Sequence, residues 1–347
     1  MERKQKVINP ELCHELLVEK TKQELSERKG KSYQQWKKDL KDKFVELMRF
    51  DSIEKYACPV SYEIEWEEDK DEYKIIRFRV RTEINEVVPC YMLIPKLGKK
   101  KYPVALTMQG HSTGFHFSIG ENKYGVPQED VDRKSIALQG VRNGFVAVAI
   151  EQRGMGERNP IKENRFNGSP CTWTTRTGNA IGRVVLAERV WDISKVIDVL
   201  SNFPECDTDK ILITGNSGGG TISYYAACLD ERIKLSVPSC GVGDYKTSIM
   251  TIAHCGCNYI PNTFKYFEMA DLACLIAPRN LIYVTGGKDP IWPINCSTAT
   301  FEKIKEIYRE NGAEDKCQLV VTPMGHWWCV DIVWDAINKE CQKLGWK

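Results

Sequence analysis

Apolar positions along this chain change period twice, and each change marks a different kind of element. Through the first fifty residues the spacing is helical. Trp36, Leu40, Phe44 and Leu47 recur on one face of an otherwise charged segment, and Ser32 stands where its hydroxyl can cap the first turn. One apolar stripe on a charged rod has to be covered. The simplest expectation is a cap or arm over residues 1–55 packed on the body of the same chain, with a homo-oligomer contact through these helices as the alternative.

From about residue 60 the period becomes two. Ser61–Trp66, Tyr73–Arg81 and Val87–Ile94 are rich in β-branched and aromatic residues and are separated by charged turns, which predicts antiparallel strands. Short apolar runs then alternate with helical patterns: Val104–Met108, Phe145–Ile150, Ile211–Thr214, Leu235–Pro238, Leu281–Thr285 and Gln318–Val321. That rhythm predicts an α/β fold over residues 56–347, a mostly parallel sheet entered through the antiparallel strands and covered by helices on both faces. The clearest helix carries Leu186, Val190, Ile193, Ile197 and Leu200 on one face. Residues 111–135 and 157–182 break the rhythm and read as long loops following strand ends, where open sheets bind ligands; residues 244–270 form a third insertion.

Composition narrows the partners. The 347 residues carry 49 Lys and Arg against 47 Asp and Glu, so no strong field draws the protein to nucleic acid or to a membrane surface. With no apolar run long enough to cross a bilayer and a charged start, the expected location is the cytoplasm. The 14 cysteines are then expected to be reduced and mostly buried. His254-Cys255-Gly256-Cys257, with Cys228, Cys240 and Cys274 near it in sequence, offers soft donors, but C-x-C lacks the spacing of a zinc knuckle and no second pair matches it. Neither a metal nor an organic cofactor is expected.

The chemistry is concentrated at strand ends. Gly215-Asn216-Ser217-Gly218-Gly219-Gly220 follows the run Ile211–Thr214 and opens a helical pattern. A G-x-S-x-G in strand-turn-helix context holds serine in a strained turn, with small neighbours at 215 and 219 that let strand and helix approach. No lysine follows, as a P-loop would require, and the glycine spacing is not that of a dinucleotide site. A serine hydroxyl needs a base. Of the five histidines, His326 in Gly325-His326-Trp327 follows the last strand, and Asp289 in Lys288-Asp289-Pro290 follows the penultimate one, which makes a triad in the chain order Ser, Asp, His. The N–H of Gly218 and, from Gln109-Gly110-His111 after the strand ending at Met108, that of His111 are the expected oxyanion donors, with Ser112 as the fallback. Trp292, Trp327, Phe115 and Trp173 are candidates for the substrate pocket.

These residues resemble a known group. Ala149-Ile150-Glu151-Gln152-Arg153-Gly154-Met155-Gly156-Glu157-Arg158, Gly215 to Gly220, Lys288-Asp289-Pro290 and the final histidine loop look like the dienelactone-hydrolase-like α/β hydrolases that include acetyl xylan esterases and cephalosporin C deacetylases. The resemblance covers roughly residues 75–345. It implies the α/β-hydrolase fold, removal of acetyl or other short acyl groups from sugars or small alcohols, and the roles of Ser217, Asp289 and His326. Two positions depart from it: the deacetylases usually carry Gln after the serine and R-G-Q-G, where this chain has Gly218 and Arg153-Gly154-Met155-Gly156. The resemblance therefore leaves the acyl group open. Arg153 and Glu151 are expected to brace their loop. A peptidase of the prolyl-oligopeptidase kind shares the triad order, and a catalytically silent hydrolase fold that binds a ligand is the reading from a different class.

Overall fold

The computed structural model describes residues 11–111, 114–122, 125–127, 130–159 and 170–346. Nine strands form one sheet: β1 (Ala57–Asp69), β2 (Tyr73–Glu83), β3 (Glu86–Pro95), β4 (Tyr102–Met108), β5 (Val146–Ile150), β6 (Cys206–Asn216), β7 (Ile233–Ser239), β8 (Asn280–Gly286) and β9 (Cys317–Thr322). Their order is β1-β2-β3-β5-β4-β6-β7-β8-β9. The pairs from β1 to β5 are antiparallel, and every pair from β5 onward is parallel. Each strand expected from the apolar runs is present. Residues of β4, β5 and β8 are buried throughout, as strands covered on both faces must be. The outermost strand β1 pairs only with β2 and stays largely exposed.

After β4 the chain goes to β5 on one side and then to β6 on the other. Successive connections therefore diverge between β4 and β6, and a crevice opens at their carboxyl ends. The helix Gly218–Leu229 leaves β6 at that point, and Val185–Leu200 covers the sheet with Leu186, Val190, Ile193, Ile197 and Leu200 all buried.

The amphipathic N-terminal helix runs Tyr33–Met48, and Ser32 Oγ accepts a hydrogen bond from Gln35 N at 3.2 Å. Its buried stripe is Trp36, Leu40, Phe44 and Met48, so Met48 takes the place expected of Leu47, which is only half-buried. Phe44 packs on Tyr225 and Phe267, with ring centroids 5.5 and 5.9 Å apart. Full burial of such side chains contributes roughly 1.5–3 kcal/mol each, enough to hold a helix with so charged an outer face. The stripe is thus covered within the chain.

Two expected loops are partly helical, and among the described residues 111–135 carries only the short helical turns Phe115–Ile119 and Val131–Lys134. Pro170–Ala180 forms a helix inside the 157–182 segment. Its Thr, Gly and Asn residues carry little intrinsic helix preference, and tertiary contacts hold it: Cys171 packs with Val185 and Cys257. The 244–270 insertion is a chain of single turns. Among the described residues, no helix is long and apolar enough to cross a membrane.

Candidate active site

Ser217 sits at the junction of β6 and the helix Gly218–Leu229 with φ 59° and ψ −126°. A non-glycine residue in this region carries strain of about 1–3 kcal/mol, which the surroundings must offset. Two backbone bonds do so: Ser217 N donates to Ser239 O, and Thr221 N donates to Ser217 O, both at 2.9 Å. Packing leaves no alternative residue at two neighbours. A Cβ on Gly219 would lie 2.0 Å from Met108 O, and one on Gly215 would lie 2.3 Å from the same oxygen. Strand β4 therefore presses against the turn and holds the serine at the crevice.

His326 and Asp289 reach the same edge from the ends of β9 and β8. His326 Nδ1 and Asp289 Oδ2 are 2.8 Å apart, while Asp289 Oδ1 accepts from Ile291 N at 2.8 Å and Trp292 N at 3.0 Å. Burial pushes the Asp289 carboxyl up, but the His326 hydrogen bond and these two N–H groups outweigh it and hold the carboxyl below its ordinary value. An ionised acceptor on Nδ1 leaves Nε2 as the basic nitrogen. Ser217 and His326 line one cleft of about 260 Å³, although no hydrogen bond among the described residues joins them; such contacts often tighten only when substrate binds. Cys240, which the sequence did not point to for this site, lies beside the pair. Burial and the Asp289 carboxylate push its thiol up to about 12, so it is a neutral neighbour.

The cleft is lined by Gln109, Gly110, His111, Phe117, Ile136 and Trp328 together with Arg133, Lys134 and Trp327. Of the four expected pocket aromatics, only Trp327 lines it. Phe115 is wholly buried and stacks on Tyr91 at 4.6 Å, because the tight turn Phe115–Ile119 sends that ring into the core and Phe117 to the cleft. Trp292 is buried behind the acid loop against His254, with centroids 4.8 Å apart. Trp173 borders a different cavity, with Arg153, Arg158 and Glu188. Arg133 stacks over Trp327 at 4.4 Å and pairs with Asp130 at 2.7 Å, and among the described residues its buried Nε has no hydrogen-bond partner.

Gly218 begins the helix, where backbone N–H groups lack intrahelical partners. His111 stands over it. A Cβ on Gly218 would meet His111 Cε1 at 2.8 Å and Nδ1 at 2.9 Å. The His111 imidazole turns to sulfur: Nε2 is 3.1 Å from Cys257 Sγ, and one donor atom from each of His111, Cys171, Cys255 and Cys257 lies within 4.8 Å of all the others. Hydrogen bonds from Cys255 and Cys257 hold the Cys171 thiol far below its ordinary value, and the same contacts raise Cys255. Of the cysteines grouped around Cys255-Gly256-Cys257 in sequence, none of Cys228, Cys240 and Cys274 joins it, and His254 hydrogen-bonds with Ser248 Oγ at 3.0 Å. Ser112 lies outside the described residues.

The bracing residues form a buried network on the far side of the β5 loop. Arg153 Nε donates to Asp192 at 2.8 Å and its other nitrogens pair with Glu83 and Glu188, while Glu151 accepts from Phe115 N and Glu157 N. Burial raises the Glu151 carboxyl to about 8 despite those two N–H groups.

A parallel sheet entered by antiparallel strands, with a strained serine turn at its switch point, defines an α/β hydrolase fold. A family model described as "Abhydrolase family" matches residues 11–235, and the chain belongs to that family. It is 24% identical over 284 residues to YtaP of Bacillus subtilis (strain 168), a protein named as a hydrolase, covering 81% of this chain and 91% of YtaP. The fold is similar to that of a protein assigned as an acetyl xylan esterase from Bacteroides fragilis NCTC 9343, with a TM-score of 0.75, 17% identity, and coverage of 93% of this chain and 84% of that one. It is also similar to acetyl xylan esterase 1 from Thermoanaerobacterium sp. JW/SL YS485, with a TM-score of 0.59, 17% identity, and coverage of 93% and 96%. A glucuronoyl esterase from Caldicellulosiruptor kristjansonii gives a TM-score of 0.58 at 16% identity, with coverage of 90% and 85%.

Proposed function

We propose that the protein is a cytoplasmic serine esterase that removes short acyl groups from sugars or small alcohols. The observation that carries this reading is the strained Ser217 opening into the same cleft as the His326–Asp289 pair. Ser217 Oγ attacks the ester carbonyl while His326 Nε2 takes its proton, and Asp289 stabilises the imidazolium that forms. The tetrahedral oxyanion receives hydrogen bonds from Gly218 N–H and His111 N–H. His326 then protonates the departing alcohol, and water releases the acyl group by the reverse sequence. Loss of one oxyanion donor in sites of this kind costs about 2.7–4 kcal/mol of barrier.

The modest cleft volume favours a short acyl group, and the Arg133–Trp327 wall favours a hydroxyl-rich or carboxylated alcohol partner. Esters of carbohydrates fit both. The likeness in fold to acetyl xylan and glucuronoyl esterases supports this class of substrate.

The test is a fluorophosphonate labelling experiment followed by turnover of an aryl-ester ladder, acetylated sugars and uronic-acid methyl esters. Labelling at Ser217 that is absent in Ser217→Ala, with turnover falling as the acyl chain lengthens, is expected. A wild-type protein that neither labels nor cleaves 4-nitrophenyl acetate would overturn the esterase reading and leave a ligand-binding hydrolase fold.

A further inference from the structure

We propose that His111, Cys171, Cys255 and Cys257 form a tetrahedral zinc site that clamps three separate segments over the N-terminus of the nucleophile helix. Zinc bound by three thiolates and one imidazole places its donors about 2.0–2.3 Å from the metal, so the donors stand roughly 3.5–3.8 Å from one another. The four side chains already converge to within 4.8 Å, and the His111 Nε2 to Cys257 Sγ separation of 3.1 Å is a few tenths of an ångström short of that spacing. Four protein donors close the coordination sphere. That is the pattern of a structural zinc, in contrast to a catalytic one that keeps a position for water.

Arg189 supplies the second, independent observation. The residue is 1% exposed, and its guanidinium donates to the Arg153 carbonyl at 2.7 and 3.2 Å, Cys171 Sγ at 3.1 Å and Cys257 Sγ at 3.3 Å. Among the described residues, no carboxylate is a partner of this guanidinium. A buried cation without an anion is costly, so the sulfurs must carry the opposing charge. Zinc with three thiolates and a neutral imidazole has a net charge of −1, which one guanidinium balances. N–H groups directed at metal-bound sulfur are the usual outer support of such a site. Zinc also suits the donors better than the harder divalent cations, which prefer carboxylate and carbonyl oxygen.

The site ties the loop after β4, the helix Pro170–Ala180 and the 244–270 insertion to one centre. It accounts for a helix of poor intrinsic propensity at 170–180. It also fixes the His111 ring that roofs Gly218.

The experiment measures metal in the full-length protein, purified under reducing conditions without chelator, offered zinc and exhaustively dialysed. Elemental analysis is expected to find roughly one zinc per chain, retained by Ser217→Ala and by Cys58→Ser on β1, and reduced at least tenfold in Cys171→Ser and Cys257→Ser. Because a ligand variant can fail to fold, the wild type is also loaded with cobalt(II). The intense visible bands of tetrahedral thiolate-bound cobalt are expected, and they should vanish when the thiols are alkylated. A reconstituted wild type holding less than about a tenth of an equivalent of zinc, a cobalt spectrum of octahedral type, or a Cys171–Cys255 disulfide in the freshly purified protein would each overturn the assignment. Metal retention by Ser217→Ala separates this proposal from the esterase reading.

Discussion

Two constellations built around a histidine border the same cleft, and they are assembled in opposite ways. On one side Ser217, Asp289 and His326 stand at the carboxyl ends of β6, β8 and β9, held by the sheet itself. On the other, His111 follows β4, but its three sulfur neighbours come from the segments that interrupt the sheet-and-helix rhythm. The first arrangement inherits its geometry from strand spacing and register. The second depends on insertions finding one another, and so needs a bond strong enough to hold them. The contrast teaches where this molecule keeps its reactive groups rigid at no extra cost and where it has to add a fastening.

Substitutions can test whether the two sides are truly separate in role. The largest effect is expected from Ser217→Ala, which should lower kcat on the best ester by roughly 10⁴–10⁶-fold while zinc content stays that of the wild type. Next, Asp289→Asn should reduce kcat by about 10⁴-fold with little change in KM, since the amide favours the wrong imidazole tautomer; a loss under tenfold would remove Asp289 from the triad. Removing zinc from the opposite side should act first on stability. Cys257→Ser, or chelation of the wild type, is expected to cost ~3 kcal/mol or more in denaturant unfolding.

A smaller change probes the boundary between them. Gly218→Ala puts a methyl group 2.8 Å from His111 Cε1, so it should weaken zinc retention and slow acyl transfer together, each by roughly tenfold. If only turnover changes, the His111 ring is free to move and the clamp is not rigid.

A separate test, of pH dependence, concerns Glu151, away from both sides. Its folded carboxyl titrates at about 8, above its value in the unfolded chain, so its contribution to stability is fully present below about pH 4.5 and is lost as the pH rises through about 8. Unfolding free energies at pH 5 and pH 8.5 should diverge more in the wild type than in Glu151→Gln.

The sheet was legible because period-two and fully apolar runs are local signals, and every run corresponds to a strand. The triad candidates were legible for a related reason. Each lies within a few residues of a recognisable strand end, so linear order carries spatial order. Aromatic placement was not. Phe115 and Phe117 are two residues apart in one turn, and only its backbone path decides which ring enters the core. The helix Pro170–Ala180 was read as loop because Thr, Gly and Asn dominate it, and what holds it is contact with Cys257 from a distant segment.

Cysteine spacing misled in an instructive way. Cys255-Gly256-Cys257 invited partners nearby in sequence, whereas its partners in space are His111 and Cys171. The buried Arg189 becomes meaningful only beside the sulfurs it donates to.

What the amino-acid order determined alone was the sheet, its direction change and the strained serine turn, because these arise from short-range periodicity, backbone sterics and glycine at fixed offsets. Tertiary structure alone decided which rings line the cleft and which thiols meet. Those outcomes depend on how insertions close over the sheet edge, and distances between segments far apart in sequence are set by packing of the whole chain.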